Sequence, residues 1–147
     1  AWAGERVWVK RGDVHATDPR GVVAVAGSAA LRAAIADFAG RGIARVAVQR
    51  HLDGAVVKFY GVRGGYFFAR PPQADALGAE RLARLASVGH AAARALGVAV
   101  FGGDAVCTAA GGVHVIDLND WPSFAACRAA AAEAIAELLC ARDDGSN

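Results

Sequence analysis

Asp104 and Asp117 lie in two apolar stretches, 104–108 and 113–119, separated by Ala109-Ala110-Gly111-Gly112. If those four residues form the loop of a hairpin, Thr108 faces Val113 and Asp104 faces Asp117. A two-residue loop centred on Ala110-Gly111 gives the same register, and a three-residue loop shifts it by one. Alternation along the second strand places Asn119 on the same face as Asp117. Directly opposed carboxylates cost up to ~1 kcal/mol in a sheet. A hard divalent cation, which prefers oxygen ligands, removes that cost. Asp104, Asp117 and Asn119 therefore predict a platform for Mg²⁺ and a nucleotide. The alternative is that Asp104 and Asn119 are strand-end residues facing solvent and that Asp117 pairs with an arginine. A glycosidase pair is not expected, because paired strand positions set the carboxyl groups close together and no surrounding cleft is indicated. By the same alternation Cys107 and His114 fall on the opposite face, where both are expected to pack.

The basic residues are the second signal. Of sixteen, only Lys10 and Lys58 are lysine, and lysine supplies a compact charge on a flexible stem that arginine does not reproduce. Lys10 ends an apolar stretch and precedes the glycine-containing loop 11–21. That arrangement suits phosphate contact through an ammonium and backbone N–H groups, and it also suits an exposed strand end. Lys58 lies among Val57, Phe59 and Tyr60, so it either snorkels from an edge strand or points into a polar cleft. His15 and His51 sit in loops that face such a cleft or open solvent. His90 falls inside a helix and receives no role.

Composition narrows the class. A chain of 147 residues fits one domain or two small lobes. With 55% hydrophobic and 20% charged residues it has material for a packed interior and is not disordered over most of its length. No apolar run reaches the length of a membrane span, and Glu5 and Arg6 interrupt any signal-peptide core at the start. A net charge of +2 is too balanced to call for nucleic acid or a membrane. The three cysteines, 107, 127 and 140, suit reduced thiols in a cytoplasmic protein. A first residue of alanine is expected of a processed, trimmed or partial chain.

These residues need elements to position them. Periodicity predicts strands over 7–10, 22–25 and 43–48, with a helix from an N-cap at Ser28 to Ala39 stopped by Gly40 and Gly42. A polar break at 49–54 follows. Strands over 55–62 and 66–69 flank the turn Arg63-Gly64-Gly65, and Pro71-Pro72 ends the hairpin. A helix over 77–96 is expected to bury Leu82, Leu85, Val88, Ala92 and Leu96. Strands over 98–101 and 104–108, or one strand bent at Gly102-Gly103, precede the strand over 113–119. A last helix runs from near Pro122 to Ala141, with a frayed tail over 142–147. The order predicts an α+β fold in two lobes, 1–50 and 51–141, with mainly antiparallel sheets and helices on one face.

From about Val7 to Leu139 this arrangement resembles the nucleotide-binding portion of the ATP-grasp superfamily. Val7-Trp8-Val9-Lys10 is similar to the strand whose lysine contacts ATP phosphates, and 11–21, with His15, to the loop that covers them. The run through Gln49, Arg50, His51 and Leu52 resembles the hinge whose backbone meets adenine, although Arg50 stands where an acidic residue is frequent. Lys58 and Arg70 match basic positions near the transferred phosphoryl group. Phe101-Gly102-Gly103-Asp104 and Asp117-Leu118-Asn119, followed by Trp121-Pro122-Ser123, resemble the paired magnesium ligands and the turn into the last helix. The Asp-x-Asn form and His15 are similar to the inositol-polyphosphate kinase branch.

The resemblance implies ATP and two Mg²⁺ ions as cofactors, with Lys58 and Arg70 catalytic, and Lys10, His15, Gln49, Arg50, His51 and Leu52 binding nucleotide. It implies phosphoryl transfer to a carboxylate followed by amide ligation, or transfer to a hydroxyl in a kinase. The acceptor would be a small molecule or peptide. Its contacts would come from an amino-terminal domain that the chain lacks, or the chain would act as a homo-oligomer. A non-catalytic nucleotide-binding module and an unrelated α+β domain with structural aspartates are the other expectations.

Overall fold

The computed structural model describes residues 4–12 and 18–143. In chain order its elements are β1 (Arg6–Arg11), β2 (Val22–Ala26), α1 (Gly27–Gly40), β3 (Val46–Arg50), β4 (Ala55–Val62), β5 (Phe67–Ala69), α2 (Gly78–Ala95), β6 (Val100–Cys107), β7 (Val113–Asp120) and α3 (Arg128–Asp143). The fold is α+β, with two antiparallel sheets in the orders β2-β1-β3 and β5-β4-β6-β7. The chain divides into two compact units, Ala1–Leu52 and Asp53–Asn147. Among the described residues no helix is long and apolar enough to cross a membrane.

In the first unit, period-two alternation buries Val7 and Val9 of the central strand. Phe38 and Ile43 complete this core with Val23 and Leu31. Ser28 does not cap α1. The cap position is Ala26 and makes no side-chain bond, because Gly27, at φ 78°, turns the chain from β2 directly into the helix. Strand β3 begins at Val46 rather than 43. Ile43 is instead tied back to the helix, its N–H donating to the Phe38 carbonyl at 3.0 Å. Gln49 and Arg50 belong to β3, paired with Trp8 and Val7, and not to a polar break.

In the second unit one sheet face buries Val57, Phe59, Phe101 and Ala105 against Leu85 and Ala93 of α2. Phe59 stacks on Phe67 at 5.6 Å and meets Phe101 edge-on at 6.4 Å. The buried line of α2 is Leu85, Gly89 and Ala93. Leu82 is exposed and Leu96 is 65% exposed, contrary to the sequence pattern. The rings explain the shift: a Cβ on Gly89 would lie 3.1 Å from Phe67 and 3.2 Å from Phe59, so only small residues fit where the helix crosses them.

The opposite face buries Tyr60, Val62 and Val100 beneath Phe124 and Ala131. This sheet therefore has helices on both faces, not on one, because its apolar half beyond Lys58 needs its own cover. Helix α3 starts at Arg128, later than expected. Residues 121–127 are used to seat Phe124, through left-handed backbone at Trp121 (φ 46°) and Phe124 (φ 50°). The helix runs through 143, and residues 144–147 of the expected tail lie outside the described residues.

Strand β6 passes through Gly102-Gly103 without a break. These glycines permit close approach: a Cβ on Gly102 would lie 2.8 Å from the Pro122 ring, and one on Gly103 would strike the Asp117 carbonyl oxygen. Gly103→Ala is therefore expected to cost at least ~2 kcal/mol in urea unfolding. An unchanged midpoint would contradict the pairing of β6 with β7.

His90 lies against Phe67 at 5.9 Å and Phe101 at 5.2 Å. Burial, and then the neighbouring Arg94 charge, hold its imidazole below the ordinary value of 6.5. The unfolded chain thus binds the extra proton, and stability is lost as pH falls from the ordinary value toward the depressed one. Urea midpoints at about pH 5.5 and about pH 7.5 should differ less in His90→Phe than in the parent chain.

Candidate metal and nucleotide site

Asp104 pairs with Asp117, but by a different route from the one the loop length suggests. The turn closes with Cys107 facing Val113, and the Thr108 N–H donates to the Gly112 carbonyl at 2.9 Å. The ladder then holds as far as Ala105 and Val115, and slips between Ala105 and Asp104. Ile116 is the extra residue of this bulge. Without it Asp104 would face Ile116, and Asp117 would lie on the other side of the sheet.

The bulge also overturns the expectation for His114. His114 pairs with Val106, shares the Asp104 face and is exposed, so it is not a packing residue. Cys107 is buried against the α2 face as expected, and burial pushes its thiol up.

Lys58 stands opposite Asp104 on the other neighbouring strand. The Arg70 N–H donates to the Lys58 carbonyl at 2.8 Å, continuing the register in which Phe59 faces Ala69. Lys58, Asp104 and Asp117 therefore form one row across three strands on one face, and Arg70, just past the end of β5, continues it. Asn119 lies on the same face in the next row, opposite Gly102. Helix α3 covers Tyr60, Val62 and Val100 on this face, while Lys58, Asp117 and Asn119 remain accessible and Val56 is 51% exposed. The sheet sets the row, and the cover from α3 stops at Tyr60, Val62 and Val100, short of it.

Strand β4 is interior to the sheet, so Lys58 does not snorkel from an edge. Its Nζ lies 3.0 Å from both carboxylate oxygens of Asp104. Asp117 is held by Asn119, whose Nδ2 donates to Oδ2 at 2.9 Å, rather than by an arginine. Among the described residues no three His, Cys, Asp or Glu side chains form a metal-holding group. The donor set here is two carboxylates and an amide oxygen. All three donors are hard oxygens, which fits Mg²⁺ completed by phosphate oxygens and does not fit a soft metal. The Lys58 ammonium already offsets the charge of Asp104, so a cation would share or displace that contact.

The remaining sequence candidates lie in the first unit. Lys10 lies one residue before the end of β1, paired with Val22 and Ala47. The Arg50 guanidinium is 3.0 Å from Glu5, a partner the sequence did not suggest. His51 Nδ1 accepts from Trp8 Nε1 at 3.0 Å, and Leu52 is half-buried at the end of the unit. In the loop, the Gly12 N–H donates to the Arg45 carbonyl at 2.9 Å, and Asp18 caps the turn Pro19–Gly21. His15 lies outside the described residues. No protein-family model, curated protein or solved structure matches the chain.

A double-mutant cycle on Lys58→Met and Asp104→Asn should give a coupling of about 0.5–1 kcal/mol, as expected for a partly exposed pair, and less in high salt. A coupling of zero at low salt would remove Lys58 from the row.

Proposed function

We propose that the chain is the Mg-ATP-binding portion of an ATP-grasp-type enzyme, transferring the γ-phosphoryl group of ATP to a carboxylate with release of ADP, the acyl phosphate then being captured by an amine to give an amide and free phosphate. The observation that carries this reading is the row Arg70, Lys58, Asp104 and Asp117 with Asn119 beside it: two cations, two anions and an amide on one accessible sheet face. Phosphoryl transfer needs positioning and charge compensation rather than a covalent nucleophile, and this row supplies both kinds of charge. Magnesium, when bound, would neutralise phosphate charge and hold phosphate oxygens. Asp104, Asp117 and Asn119 would hold the metal. Lys58, freed from Asp104 as the cation takes its charge, would turn its ammonium toward the moving phosphoryl oxygens. Arg70 would hold further phosphoryl oxygens from the adjacent strand. Lys10 and residues 49–52 are assigned phosphate and adenine contacts by resemblance.

A second reading, a domain whose aspartates serve structure alone, draws support from the Lys58–Asp104 ion pair, which balances charge with no metal. Thermal melts separate the two. Mg²⁺ with ATP at about 100 times the dissociation constant should add about 2.7 kcal/mol, a rise of roughly 5–11 °C. The rise should need both ligands and should vanish in Asp117→Ala. No rise at saturation, or the same rise in Asp117→Ala, would favour the structural reading.

A further inference from the structure

On the α2 side of the second sheet, away from the charged row, a hollow of about 360 Å³ opens between the β4–β5 turn and the C-terminal half of α2. Arg63, Ser87, His90 and Arg94 supply its polar lining, and Phe101 and Val98 its apolar wall. No carboxylate lines it. Neither guanidinium has an ion pair among the described residues. Arg63 also borders a smaller neighbouring hollow that contains Glu137, yet the two form no ion pair. The His90 Nε2 is shielded from solvent and lacks a hydrogen-bond partner.

From these observations we infer that this hollow is a second ligand site, which takes a small phosphate-bearing anion. Two guanidiniums, each able to donate a parallel pair of hydrogen bonds, and the Ser87 hydroxyl together offer more donors than the roughly four lone-pair positions of one carboxylate can accept. A phosphate group presents three or more oxygens, enough for both arginines and the Ser87 hydroxyl. Protonated once, it also carries an O–H donor. It can therefore pair with His90 Nε2, once the ring turns toward the hollow, whether that nitrogen donates or accepts. The Phe101 and Val98 wall would receive a flat or apolar part of a phosphate ester. No metal is required, and nothing in this site depends on the charged row on the other face.

The test is calorimetric titration of the full chain with inorganic phosphate and with pyrophosphate, in EDTA to keep divalent cations out. Arg63→Gln and Arg94→Gln should each weaken binding about tenfold or more. Arg84→Gln, on the same helix but lining a separate hollow at its N-terminal end, should leave affinity unchanged. Circular dichroism establishes that each variant is folded. Absence of binding to the parent chain would overturn the inference. So would binding that survives in both Arg63→Gln and Arg94→Gln, or that is lost in Arg84→Gln instead.

Discussion

The second unit depends on one irregularity, the extra residue Ile116 in β7. A sheet has two faces, and a strand changes which face each side chain takes only by inserting or omitting a residue. From the turn to Val115 the strand follows one phase, with Val113 and Val115 packed toward α2. Beyond Ile116 it follows the other, which turns Asp117 and Asn119 to the outer face while Leu118 packs inward. Without the bulge, Asp117 would enter the layer that holds Phe59 and Phe101. An unpaired carboxylate there would carry a large desolvation cost.

The bulge and the two glycines of β6 act together. Gly103 faces Leu118 and leaves no room for a side chain beside the Asp117 carbonyl. Gly102 makes space for Pro122, which follows Trp121 in its left-handed conformation. The chain that leaves β7 is thus drawn across the outer face toward Tyr60, where Phe124 is buried. Cover ends before the Lys58 row. The charges are accessible because the cover ends over Tyr60, Val62 and Val100, before the row begins.

Much of the fold was legible in the sequence because its signals are local. Period-two alternation marks β1, and a mostly apolar run marks β4. Gly64 and Gly65, both at positive φ, mark the turn between β4 and β5. What failed was set by partners far along the chain. The α2 stripe cannot be read without knowing that Phe59 and Phe67 lie beneath Gly89. Leu82 and Leu96 have the right spacing but find no sheet under them. The late start of α3 reflects the burial of Phe124, which helical periodicity alone does not anticipate.

The site was legible in the same uneven way. Asp104, Asp117, Asn119, Lys58 and Arg70 do come onto one face. The simple loop count reached the Asp104–Asp117 pairing only because an error of one residue at the turn is cancelled by the bulge. His114 shows the cost, since it was assigned to the wrong face by the same count. The signal that could have revealed the bulge is a change of phase within 113–119, where the apolar positions pass from Val113 and Val115 to Leu118 and the polar ones from His114 to Asp117 and Asn119.

In the proposed function, the Asp104–Asp117 pair holds a cation together with a nucleotide. Paramagnetic broadening of amide resonances by substoichiometric Mn²⁺, with and without ATP, tests it most directly. Broadening should centre on Lys58, Asp104, Asp117 and Asn119, deepen when ATP is present, and reverse with excess Mg²⁺. Broadening centred elsewhere, or none at these four residues with ATP present, would contradict the account.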